Sequence, residues 1–188
     1  MLRDLGDERS ARLTYDRGVL EITMPSDEHE SYKHLLERII TTLTLEFGLR
    51  VKGFASTTLS REDLQQSVEP DACYYIQNAD KVQGRRIDLA SDPPPDLVVE
   101  VDVTNPSQRK FALYAQLGVG ELWVCVNRRV SMYGLQAGAY LPREYSPVFP
   151  QVSAEVVSQW LAQGEAQDDN SVIRSLHDWV RTGIKPSL

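Results

Sequence analysis

The segment between Asp96 and Val103 constrains the fold of this chain more than any other, because it is patterned as a β-strand with two different faces. Successive side chains of a strand point to opposite faces. One face of this segment is wholly apolar and comprises Leu97, Val99, Val101 and Val103. The other face comprises Val98, Glu100 and Asp102. We therefore predict a strand that packs one face into a core and presents two carboxylates in its second half.

Glu100 is the residue of this strand that most needs a partner, because charged side chains are rarely buried unless they are paired or bind a metal. A second acid, Asp71, follows Glu69 and Pro70 and opens another β-type run over residues 71–76. Lys110 follows in the next polar segment of the chain. Two acids at strand ends and a nearby lysine are therefore candidates for one functional site.

Asp71, Glu100 and Lys110 suit a site for a hard divalent cation, since Mg²⁺ binds carboxylate oxygens together with water and substrate phosphate. Such a cation makes hydroxide from water and stabilises the charge that develops during phosphodiester cleavage. A lysine beside it would act as a general base or as a charge stabiliser, because it can position or deprotonate the attacking water and offset phosphate charge. The alternative is an exposed strand face on which Glu100 and Asp102 pair with Arg or Lys, because structural ion pairs resemble functional sites.

Five short stretches carry a family resemblance in their combined order. They are residues 69–71, 95–101, 105–107, 110–114 and 118–124. In this order they resemble the Uma family of restriction-endonuclease-like proteins, within the PD-(D/E)XK nuclease superfamily. The resemblance runs from about Thr14 to the helix near Trp160, which is most of the chain.

The resemblance implies a mixed α/β (α+β) fold, in which a restriction-endonuclease-like core has a curved mixed central sheet flanked by helices. It also implies an endonuclease that cleaves nucleic-acid phosphodiester bonds with Mg²⁺, or with Mn²⁺ in its place. Asp71 corresponds to the aspartate of the PD motif, Glu100 to the (D/E) position and Lys110 to the lysine. The metal would bind Asp71, Glu100 and the backbone carbonyl of Val101.

One departure from the superfamily pattern leaves two functional hypotheses open. The usual lysine stands two residues after the acid, and here that residue is Asp102. Asp102 either adds a metal ligand or marks a catalytically inactive nuclease fold that serves as a binding or interaction module. A second accessory candidate is Glu37, because nucleases of this superfamily often carry an extra acid on the first helix. Solvated surface is the alternative for Glu37.

The net charge of −7 means that any surface for nucleic acid must be local, because phosphate neutralisation by Lys and Arg dominates such binding. The resemblance implies nucleic acid as the substrate, with DNA expected before RNA. A homodimer is a possible assembly. The candidate basic residues are Lys81, Arg85, Arg86, Arg109, Lys110, Arg128 and Arg129. Ordinary solvated surface is the alternative for each of them.

Length and composition predict a single domain over residues 1–188, with C-terminal helices from about residue 152. Hydrophobic residues make up 41% of the 188 positions and charged residues 25%, as in soluble domains. No apolar stretch is long enough to span a bilayer, and acids stand where a signal peptide needs an apolar run. We therefore expect a cytoplasmic protein, in which Cys73 and Cys125 are buried apolar residues of strands.

The layout of elements follows from hydrophobic periodicity and turn residues. We predict a hairpin over residues 13–24, a helix after Ser26 that ends at Gly48, and strands near 51–58 and 71–76. Residues 77–95 form a loop, and a helix begins near 105–107 and ends at Gly118. A hairpin follows over 121–133, with helices over 152–161 and 171–181 joined by an exposed linker over 163–170. The three histidines, His29, His34 and His177, form no pair on one helix face and are set aside as metal ligands.

Overall fold

The computed structural model describes residues 11–55, 57–82, 87–102 and 108–183, with the backbone alone for Asp102 and Gln108. Ten strands and four helices lie within this part of the chain. Their order is β1 (Arg12–Asp16), β2 (Val19–Thr23), α1 (Asp27–Glu46), β3 (Lys52–Phe54), β4 (Leu59–Arg61), β5 (Gln66–Val68), β6 (Ala72–Tyr75), β7 (Leu97–Asp102), α2 (Gln108–Leu117), β8 (Glu121–Val126), β9 (Arg129–Gln136), β10 (Ala139–Arg143), α3 (Ala154–Ala166) and α4 (Asp169–Gly183).

The strands form two sheets. The larger sheet has the order β10-β9-β8-β7-β6-β3, and the smaller one has the order β2-β1-β5-β4. Strands β7 and β8 are parallel, whereas the other paired neighbours are antiparallel. A parallel pair needs a crossover connection, and α2 lies in that connection. The predicted mixed α/β fold is therefore confirmed.

Strand β7 is buried on both faces, because each face of the larger sheet carries its own core. Leu97, Val99 and Val101 pack in a cluster with apolar residues of α1, α3 and α4. Val98, on the opposite face, packs in a second cluster with residues of α2, among them Leu113. Glu100 shares this second face, so its carboxylate lies at a core rather than on an open strand surface.

Helix α1 begins and ends as the sequence predicts. The Ser26 side chain caps it by accepting the backbone N–H of His29 at 3.2 Å, and Gly48 follows with a positive φ of 63°. The apolar stripe of the helix is buried and comprises Leu35, Leu36, Ile39, Ile40 and Leu43. At its C-terminal end, Glu46 lies 2.7 Å from Nδ1 of His177 on α4.

The predicted strand near residues 51–58 is wrong as a single element. Only Lys52–Phe54 pairs with β6, and Leu59–Arg61 belongs to the smaller sheet.

The predicted linker over 163–170 is also wrong, because α3 continues to Ala166 and α4 begins at Asp169. Gly164 lies inside α3. A Cβ at this position would stand 2.5 Å from Cδ2 of Leu35 on α1, so only glycine fits there without a shift. This glycine permits close approach of two helices and does not end one.

Both cysteines are buried and free, as predicted. Among the described helices, none is long and apolar enough to cross a membrane.

Glu121 is a fully buried acid at the start of β8. Its carboxylate accepts hydrogen bonds from the indole N–H of Trp123 at 2.6 Å, the hydroxyl of Ser146 at 3.0 Å and the backbone N–H of Val148 at 2.9 Å. These bonds tie the loop before α3 to the sheet. Burial nevertheless raises the pKa of Glu121 to about 7, in spite of the three donors.

The raised pKa of Glu121 predicts a stability that falls with rising pH. Its contribution is fully present below the ordinary value of 4.5 and is lost as the pH rises through about 7. The loss should amount to about 3 kcal/mol of unfolding free energy. The unfolding free energy measured in urea across this pH range should depend less steeply on pH for Glu121→Gln than for wild type. The exposed control Glu144→Gln should keep the wild-type slope, and equal slopes for all three proteins would contradict the prediction.

Candidate active site

The two candidate acids lie at the same end of adjacent antiparallel strands. Strand β6 pairs with β7 so that Ala72 faces Val99, and Asp71 directly precedes β6. One further step of this register brings Asp71 opposite Glu100. Partners on adjacent strands share a face of the sheet, so the backbone sets these two side chains at one location.

Asp71 is buried and is held mainly through one of its oxygens. Its Oδ2 accepts the backbone N–H of Val101 at 2.8 Å and lies 3.0 Å from Nε2 of His29. Its Oδ1 lies 3.7 Å from Nε of Arg12. Burial would raise the pKa of Asp71, but the hydrogen bond and charge of His29, the Val101 N–H and the charge of Lys110 together outweigh it, and the pKa is lowered. Asp71 is therefore a carboxylate at neutral pH.

Glu100 is buried and is contacted by two residues of α2. Its Oε2 accepts a hydrogen bond from Nζ of Lys110 at 2.8 Å, and its Oε1 accepts one from the hydroxyl of Tyr114. Lys110 and Tyr114 are four residues apart, so they project from the same side of the helix. Burial, together with the charge of Asp71, raises the pKa of Glu100 in spite of the lysine.

Lys110 is the cation that pairs with Glu100. Burial would lower its pKa, but the Glu100 carboxylate outweighs this effect and the pKa of Lys110 is raised. The lysine therefore carries its charge at neutral pH in this arrangement. It can orient a water molecule or stabilise developing negative charge, whereas removal of a proton from water by Lys110 is disfavoured.

A polar row on α1 faces the same cluster of charges. His29, Lys33 and Glu37 follow at intervals of four residues and so share one side of the helix. Lys33 is buried, with its Nζ 3.6 Å from Oε2 of Glu30. Glu37 is half buried rather than fully solvated. Burial, with the charges of Glu30 and Asp71, raises the pKa of Glu37 against the opposing effect of Lys33.

The donor set fits a hard cation with few protein ligands. Within the described ranges, no group of three or more His, Cys, Asp or Glu side chains is arranged to hold a metal. Asp71 and Glu100 supply two carboxylates, and Mg²⁺ commonly binds through one or two of these and keeps several waters.

The Val101 N–H contacts Asp71, while metal binding by the Val101 carbonyl stays a prediction. The backbone of Asp102 ends β7, paired with Val126, and its side chain lies outside the described residues.

The basic residues proposed for nucleic acid have different environments. Arg109 is exposed beside Lys110. Arg128 forms an ion pair with Glu165 at 2.5 Å and donates to the hydroxyl of Tyr32 at 2.8 Å. Arg85 and Arg86 lie outside the described residues. Arg109 is therefore the exposed basic candidate next in sequence to Lys110, which contacts Glu100.

Sequence reasoning missed three residues that contact the acids, namely Arg12, His29 and Tyr114. The spacing of four between Lys110 and Tyr114 was a usable signal for the tyrosine. The histidines were compared only with one another, so a contact from His29 to an acid on a distant strand gave no signal. Arg12 carried no signal in the sequence at all.

This sheet, with its acids on adjacent strands and a lysine from the following helix, defines a restriction-endonuclease-like fold. The chain belongs to the Uma2 family, described as "Putative restriction endonuclease", whose model matches residues 1–164. The predicted family is thereby confirmed.

A solved structure supports the fold. The chain is similar to a protein titled a "putative nuclease belonging to DUF820" from Anabaena variabilis ATCC 29413. The TM-score is 0.61 at 17% sequence identity, and the match covers 85% of this chain and 96% of that one. Among curated proteins, no sequence matches this chain.

The Tyr114 hydroxyl should contribute more to stability than a tyrosine hydroxyl bound to a neutral partner. We expect Tyr114→Phe to lower the unfolding free energy by about 2 kcal/mol, because hydrogen bonds to charged groups are worth more than neutral ones. The control Tyr140→Phe loses a 2.7 Å bond to the carbonyl of Val119 and should cost about 1 kcal/mol. Chemical denaturation at neutral pH measures both, and a smaller loss for Tyr114→Phe would contradict this prediction.

Proposed function

We propose that this protein is a metal-dependent endonuclease that hydrolyses phosphodiester bonds in nucleic acid, with DNA as the first substrate to test. The observation that carries the proposal is the convergence of Asp71, Glu100 and Lys110. Nζ of Lys110 lies 2.8 Å from a Glu100 oxygen, and Asp71 flanks Glu100 on the neighbouring strand. The family and the similar fold agree with this reading.

Asp71 and Glu100, with the Val101 carbonyl, would hold Mg²⁺ or Mn²⁺. When bound, the ion would supply hydroxide at neutral pH and neutralise charge on the phosphate. Asp71 is suited to this role because its pKa is lowered despite burial, mainly through His29. Glu100 is paired with Nζ of Lys110 at 2.8 Å, so a metal ion would share this carboxylate with the lysine.

Lys110 would act as a charge stabiliser and not as a base. Its raised pKa, which follows from the Glu100 carboxylate despite burial, keeps the ammonium charged. A fixed cation aimed at the place where negative charge develops is an effective source of transition-state stabilisation. Arg109, exposed next to it, would contact the phosphate backbone and offset part of the net negative charge of the chain.

The second candidate function is a catalytically inactive nuclease fold that binds a partner. The observation that favours it is the direct ion pair of Lys110 with Glu100, since a cation already paired in the site reduces the need for a metal. Asp102 at the usual lysine position points in the same direction. The two functions differ in whether metal-dependent cleavage occurs.

Lys110→Ala should abolish cleavage and leave metal binding nearly intact. We expect a loss of about 100-fold or more, the usual effect of removing a group that stabilises developing charge. Plasmid DNA, single-stranded DNA and RNA should each be incubated with Mg²⁺, with Mn²⁺ and with chelator. The control Lys52→Ala changes an exposed lysine on β3 and should cleave like wild type. Equal cleavage by Lys110→Ala would move the role to Arg109, and no cleavage by wild type would favour the inactive fold.

Divalent metal should stabilise the wild-type protein and not Glu100→Gln. A ligand that binds only the folded state stabilises it by about 2.7 kcal/mol at a concentration of 100 Kd. The ion also relieves the repulsion between Asp71 and Glu100, which contributes with burial to the raised pKa of Glu100. Thermal melts with Mg²⁺, Mn²⁺ and chelator test this expectation. Coincident wild-type midpoints at millimolar metal would count against a metal site.

A further inference from the structure

Asp71 has two oxygens with different surroundings. Both hydrogen bonds that the described residues make to it end on Oδ2, one from Val101 N–H at 2.8 Å and one from His29 at 3.0 Å. Oδ1 lies 3.7 Å from the Arg12 guanidinium, beyond hydrogen-bond distance. Among the described residues, the hydrogen bonds therefore anchor the carboxylate through Oδ2, and Oδ1, which makes the longer ion pair with Arg12, is the oxygen that a metal ion would share.

His29 is itself fixed in place. Its side chain is 7% exposed, and its backbone N–H is bonded to the Ser26 cap in the first turn of α1. Its Nδ1 lies 3.4 Å from Oε1 of Glu30. Because an ionised Asp71 only accepts hydrogen bonds, Nε2 of His29 must carry the proton that it donates to Asp71.

We propose that His29 is a positioning residue of the metal site, which holds Oδ2 of Asp71 and thereby leaves Oδ1 to the cation. The proposal rests on the proposed function and deepens it by assigning a role to a residue outside the superfamily pattern. Carboxylate ligands are themselves hydrogen-bonded, and loss of such a partner typically costs 10–100-fold in metal affinity.

A purely structural role for His29 makes a different prediction. If His29 only neutralised a buried charge, its removal would lower stability and leave the intrinsic metal affinity of the folded protein unchanged. If His29 positions Asp71, metal affinity depends on the hydrogen bond between these two side chains. Glutamine can restore that bond, because its side-chain amide donates hydrogen bonds without carrying a charge.

The test is calorimetric titration of Mn²⁺ into the full chain at one fixed pH. His29→Ala should weaken Mn²⁺ binding about 10–100-fold, and His29→Gln should recover most of that loss. His34→Ala is the matched control, since His34 lies on the same helix with a side chain that is 65% exposed, and it should bind like wild type. Circular dichroism melts establish that each variant is folded, and His29→Gln provides the test if His29→Ala is not.

The outcomes separate this proposal from the proposed function. If wild type binds Mn²⁺ and His29→Ala binds equally well, the positioning role is overturned and the metal site stands. Equal weakening in His29→Ala and His29→Gln also overturns it, because the hydrogen bond would then not be the cause. If wild type binds no Mn²⁺, the metal-dependent function fails and the positioning role fails with it.

A metal-free measurement tests the contact itself. Nitrogen NMR of the His29 ring should show a proton on Nε2 that exchanges slowly with water, and Asp71→Asn should speed its exchange. An Nε2 without a proton in the wild-type chain would overturn the proposal, whatever the titration shows.

Discussion

The contact between Glu100 and Lys110 joins the site to the fold. A carboxylate on β7 lies in the core that α2 closes, and the neutralising ammonium comes from α2 itself, 2.8 Å away. Removing one partner of a buried pair typically costs 3–5 kcal/mol, because the other charge stays buried and uncompensated. The helix can therefore close this core with Glu100 ionised only by bringing Lys110 to it. The same interaction that allows the crossover to pack also assembles two of the three candidate catalytic groups.

The sequence predicted those parts that local patterning controls. The alternation along β7, the apolar stripe of α1 and the Ser26 cap each depend on residues close together in the chain, and each is found in the structure. The order of Asp71, Glu100 and Lys110 was read from the family resemblance instead. In the structure, Asp71 directly precedes β6, Glu100 lies in the second half of β7 and Lys110 lies in the first turn of α2.

Contacts between distant segments were not predictable. His29 reaches Asp71 across 42 positions, and the packing of α1 against the sheet brings them together. Gly164 falls inside the predicted linker over 163–170, whereas the close approach of Leu35 to this glycine depends on helix packing. The short strands β4 and β5 have only three residues each, too few to show a period. In each case, tertiary packing decides the outcome.

Helix α1 makes side-chain contacts at both of its ends and so connects Asp71 with the C-terminal helix α4. Its first turn contacts Asp71 through His29, and its last turn contacts α4 through Glu46 and His177. A helix of 20 residues is about 30 Å long. Helix α4 lies beyond residue 164, where the family match ends. Substitutions in this C-terminal helix therefore act on the same helix that carries His29 and its contact with Asp71.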